Sequence, residues 1–149
     1  MTASLMGRWQ TRIFTVFTVG LLWTAVITPF LPSGKTPVGQ SRIGDLYDVT
    51  LWALLWTAAF GVVLWEPVWH FFQQFRWEKD WPAMFVLLQA IPEGALVHLA
   101  LVHLEPQLAV TWPAFLIDFG TVWLVIFVFV HGPMRVPFIR WRFRGGRIF

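Results

Sequence analysis

The chain has 149 residues, of which 57% are hydrophobic and only 13% charged, with 11 Trp, 15 Phe and a formal net charge of +3. Soluble domains carry about 25% charged residues, so this composition excludes a soluble catalytic domain and leaves function to a membrane or its two faces. Cys is absent, which removes disulfides, thiolate metal sites and dithiol redox chemistry.

Four apolar spans follow one another at about 13–31, 49–71, 82–104 and 108–130. Each has roughly the 20 residues with which an α-helix crosses a hydrocarbon core. The expected fold is an all-α integral membrane protein, a four-transmembrane-helix antiparallel bundle over residues 1–131. A basic, aromatic tail follows over 132–149.

The first span has Arg8 and Arg12 ahead of it. Its apolar stretch is longer than the ~7–15 residues of a signal-peptide core, and Thr28-Pro29-Phe30-Leu31-Pro32 offers no small-residue cleavage site. It reads as a retained signal-anchor helix. Pro32, Gly34 and Pro37 break the chain before the second span. Asp45 and Asp48 stand just ahead of that span, where they favour a helix N-terminus. The second span carries Glu66-Pro67 near its far end. The third carries Gln89, Pro92-Glu93-Gly94 and His98, so a kink is expected at Pro92. A tight turn, Glu105-Pro106-Gln107, leads into the fourth span with Asp118. Short connections make successive spans antiparallel.

Charge sets the expected orientation. With the N-terminus cytoplasmic, Arg8, Arg12, Arg76, Lys79 and the tail arginines Arg135, Arg140, Arg142, Arg144 and Arg147 all lie inside. Only Lys35 and Arg42 lie outside, so nine of the 11 cations obey the positive-inside bias. Both termini are then cytoplasmic, and the expected location is a prokaryotic cytoplasmic membrane. Trp69, Trp77 and Trp81 cluster at the inner ends of spans two and three, with Trp112 at the outer start of span four, as an interfacial aromatic belt requires.

Polar groups are costly in hydrocarbon, so Glu66, Gln89, Glu93, His98 and Asp118 form the candidate intramembrane site. Gln89 and Glu93 share a helix face at i, i+4. Counting ~1.5 Å per residue puts Glu93 and Asp118 at one depth on neighbouring helices. Two carboxylates so placed could share a proton or, with a third ligand, hold a cation. They could equally fix helix packing, in which case Glu93→Leu costs little stability. His98 and His103, five apart, point away from each other and form no metal pair. The sequence names neither a metal nor a cofactor, and it holds no phosphate loop, dinucleotide fingerprint or nucleophile elbow.

The tail arginines Arg135, Arg140, Arg142, Arg144 and Arg147 are suited to anionic lipid or an acidic partner. From Arg140 to Arg144 charge and aromatic residues alternate, which suits an extended strand with two unlike faces. Nothing suggests nucleic-acid binding. The expected function is a non-catalytic, accessory subunit of a larger membrane complex. Expected partners are other membrane subunits in a hetero-oligomer, and anionic lipids. Catalysis by the chain alone is not expected, though the host complex could be an enzyme. Two alternatives stand beside it. One is a subunit lining a proton, quinone or metal site of a bioenergetic or oxidoreductase complex through Glu93 and Asp118. The other is a small self-assembling proton-coupled transporter.

Overall fold

A computed structural model describes residues 4–32, 42–75, 83–106, 108 and 110–148. Among them the chain is helical throughout, with four helices long and apolar enough to cross a membrane. We number these α1 (Leu5–Phe30), α2 (Gly44–Gln73), α3 (Ala83–Leu104) and α4 (Trp112–His131), followed by one short helix, α5 (Ile139–Phe143). The chain is accordingly a multi-pass integral membrane protein. Lys35, Arg76, Lys79, Trp77 and Trp81 lie outside the described residues, as do the side chains of Arg42 and Arg140.

Helix α1 starts eight residues before the apolar span does. Ser4 caps it, its Oγ accepting from Gly7 N at 3.1 Å. Arg8 and Arg12 are therefore helical residues, not a flank. Polar side chains in α1 are made compatible with hydrocarbon by bonding back to the helix itself. Thr11, Thr15 and Thr18 each donate to the carbonyl four residues earlier, at 2.8, 2.8 and 2.6 Å. One turn of α1 (Val16–Gly20) and one turn of α2 (Gly61–Trp65) are π-helical. The second leads directly into Glu66-Pro67, where proline removes a donor and crowds the carbonyl four residues back. A widened turn is one way a helix absorbs that crowding.

Helix α2 begins ahead of Asp45, which lies in its first turn, so neither Asp45 nor Asp48 is the capping residue. Helix α3 runs unbroken through Pro92. Helix α4 begins four residues later than the apolar pattern suggests, with Thr111 as cap and Pro113 in the first turn, where proline is favoured. Leu108 and Val110 instead pack against the core as loop residues.

Each helix packs on its chain neighbour, and α4 also packs on α1. One core cluster joins α2, α3 and α4 through Ala53, Val97, Leu101, Phe115, Phe119 and Trp123. A second joins α1, α2 and α4 through Val16, Leu54, Ala58 and Val122. Along α4 the rings of Phe115, Phe119 and Trp123 stack at 5.4 and 5.6 Å between centroids. Gly94 of α3 makes room for this column, since a Cβ there would lie 2.8 Å from Phe119. Only 28–39% of each apolar window is buried, so most of every helix faces outward. Leu22, Phe30, Val63 and Ile91 are among the apolar residues on that exterior.

The tail is not extended. Residues Ile139–Phe143 form a helical turn, and Gly145-Gly146, both at positive φ (61° and 84°), fold the chain back onto the start of α1. Ser4 N donates to Gly145 O at 2.8 Å, and Thr11 Oγ1 lies 3.1 Å from Gly146 O. Trp141 Nε1 donates to Thr11 Oγ1 at 2.7 Å. The approach is so close that any Cβ at Gly7 would collide with the Gly145 carbonyl. Gly7→Leu should therefore undock residues 139–148 while leaving the four spans folded. Hydrogen exchange would read this as faster exchange at Gly146 and Ile148, and an unchanged rate there would refute the latch.

Candidate functional site

Two acids inside the spans, Glu66 and Glu93, pair with arginines of α1. Arg12 Nη2 forms an ion pair with Glu93 Oε1 across α1 and α3, the two side chains being 10% and 0% exposed. The guanidinium also donates to Thr57 O of α2 at 3.3 Å and lies 4.8 Å above the Trp123 ring of α4. One arginine thus touches all three other helices. Its position requires Gly61, because a Cβ there would overlap the Arg12 guanidinium.

Glu93 has a second donor. Gln89 Nε2 donates to Glu93 Oε2 at 2.8 Å, and Trp69 Nε1 of α2 donates to Gln89 Oε1. Trp123 Nε1 in turn donates to Val86 O at 3.2 Å, tying α4 to α3 at the same level. One turn nearer the start of α1, Arg8 donates to Gln73 Oε1 at 2.9 Å and approaches Glu66 Oε2 at 3.5 Å. The result is two charged rungs, Arg12–Glu93 and Arg8–Glu66, with opposite charges brought together. In a low-dielectric interior such pairing is what makes a buried charge tolerable.

Of the five residues expected at one site, the structure brings together Gln89 and Glu93, with Glu66 on the neighbouring rung. His98 and Asp118 stand apart. The His98 ring stacks on Trp112 at 3.5 Å with its edge neighbour Phe115 at 5.0 Å. Asp118 is buried, and its Oδ1 has no hydrogen-bond partner among the described residues. It lies one turn from Val122, which packs against α1 and α2. Phe119, the next residue, faces Gly94 of α3. Among the described residues Glu93 engages Arg12 and Gln89, while Asp118 Oδ1 has no partner.

Sequence reasoning missed Arg8, Arg12, Thr57 and Gly61. Among the described residues no three His, Asp or Glu side chains converge as a metal site. The tail arginines divide. Arg142, Arg144 and Arg147 are exposed, while Arg135 is exposed but also borders a cavity of about 290 Å³ beside Arg8 and Arg12. Comparison with protein-family models, with curated proteins and with solved structures finds no match to this chain.

Proposed function

We propose that the chain is a non-catalytic subunit of a larger membrane protein complex, an antiparallel four-helix bundle with both termini cytoplasmic in a prokaryotic cytoplasmic membrane. One observation carries this reading. The acids Glu93 and Glu66 are occupied by Arg12 and Arg8 of the same chain, so the intramembrane charges are spent on holding helices together. A carboxylate engaged by a guanidinium and an amide is a poor proton carrier, because loss of its charge would strand the arginine. The outward faces of all four helices are apolar and aromatic, which suits lipid or neighbouring subunits. Exposed Arg142, Arg144 and Arg147 beside exposed Ile139 and Phe143 suit a tail lying on anionic headgroups or an acidic partner.

Native mass spectrometry of the chain extracted from its own membrane in mild detergent tests the reading. The expected result is stoichiometric association with different polypeptides. A monomer or homo-oligomer in every mild detergent would overturn it.

A second reading has one observation in its favour. Asp118 is a buried acid with an unpartnered oxygen, which a subunit handling protons would need. Under the first reading, Asp118→Asn leaves turnover of the co-purified complex unchanged. A large loss of turnover with assembly intact would transfer the proposal to this second reading.

A further inference from the structure

The cavity beside the two charged rungs has two unlike kinds of lining. Its volume of about 290 Å³ lies just below the roughly 300–1,000 Å³ range of small-molecule pockets. Arg8, Arg12, Glu66, His131 and Arg135 supply its charged and polar lining. Val122, Ile126, Phe127 and Val130 of α4 supply hydrocarbon and aromatic lining. The docked tail contributes Trp141 and Gly146.

The charges on these walls do not cancel. Glu93 neutralises Arg12 and Glu66 opposes Arg8, but no acid pairs with Arg135 among the described residues. Among the described residues one positive charge, that of Arg135, is left over. Arg8 contributes a further demand, since its buried Nε has no hydrogen-bond acceptor. A buried donor without a partner calls for an acceptor from outside the chain. Its arginines range from exposed Arg135 to Arg12, whose side chain is 10% exposed. An occupant must therefore present one oxyanion to the arginines and an apolar body to α4.

We propose that this cavity binds one anionic membrane amphiphile, a singly charged oxyanion on a hydrocarbon chain. Arg135 and Arg8 hold the head and Ile126, Phe127 and Val130 hold the chain. Arginine suits this role because its planar fork matches carboxylate and phosphate oxygens. Two sources share the chemistry, the phosphodiester of an anionic phospholipid and the carboxylate of a fatty acid. The inference does not rest on membership of a larger complex.

The test uses the full chain in a neutral detergent, titrated with phosphatidylglycerol, oleate, phosphatidylcholine or inorganic phosphate and read by native mass spectrometry. One tightly held amphiphile per chain is expected, with at least a tenfold preference for phosphatidylglycerol or oleate over phosphatidylcholine. Whichever of the two binds more tightly identifies the head. Inorganic phosphate should not displace it, and displacement would overturn the amphiphile assignment. Ile126→Trp should fill the cavity and abolish the bound species. Arg135→Gln, at an exposed position, should weaken it about tenfold and serves if Ile126→Trp fails to fold. Equal retention of anionic and zwitterionic lipid would overturn the proposal. So would retention that follows Arg142→Gln/Arg144→Gln and ignores Arg135→Gln and Ile126→Trp, since the anion would then sit on the tail surface.

Discussion

Arg12→Met should destabilise the chain by about 3–5 kcal/mol, the usual cost of removing one partner from a buried ion pair. Glu93→Leu should cost a similar amount. The physical reason is the charge left behind. Glu93 is fully enclosed and Arg12 nearly so, so either survivor is left as an unpaired charge among packed helices. The double variant Arg12→Met/Glu93→Leu removes both charges, and apolar replacement of a whole buried pair is often neutral or better. It should therefore regain most of the lost stability, even though the Gln89 amide and the Thr57 carbonyl each lose a bond. Reversible unfolding in mixed micelles, followed by Trp fluorescence and circular dichroism, gives the three values and their coupling energy. Losses in the double variant that equal the sum of the singles would refute the pairing. This outcome also reverses the expectation from sequence that Glu93→Leu costs little, because that expectation had no partner for the acid.

Gly61→Leu should be nearly as damaging without altering a charged residue. A side chain at this position would occupy the space of the Arg12 guanidinium. The arginine must then move, and its bonds to Glu93 and Thr57 O move with it. Overpacking alone costs about 1–3 kcal/mol, and disrupting the pair adds to that. The mechanism has its own signature. In an Arg12→Met background the space is no longer contested, so Gly61→Leu should cost much less there, with a coupling of about 1–3 kcal/mol. Equal cost in both backgrounds would mean that Gly61 serves helix packing in general and not the guanidinium.

The four spans were legible because composition and length act residue by residue, and ~20 apolar residues in a row have few other uses. The Gln89–Glu93 bond was legible too, since i, i+4 neighbours share a helix face. Arg12 was not. Arginines ahead of an apolar span ordinarily mark the cytoplasmic flank, and here that habit hid a helix that begins at Leu5. Ser4 as a cap, with Thr11, Thr15 and Thr18 able to bond back along the helix, was the available signal. The grouping of Asp118 with Glu93 rested on depth alone. Rise along a helix can be counted from sequence, but the direction a residue faces depends on which neighbour lies where. The π turns at Val16–Gly20 and Gly61–Trp65 shift that direction again, and no residue pattern announced them.

The latch between α1 and the tail joins positions 141 residues apart, Ser4 and Gly145. Synthesis proceeds from the N-terminus at about 5–20 residues per second, so α1 is made many seconds before its latch partner exists. During that interval Gly7 and Thr11 lack the tail carbonyls that later cover them. A chain stopped short of residue 145 would keep its four spans yet remain in that unfinished state. The contacts that cover the start of α1 are thus the last of the fold that the growing chain can make.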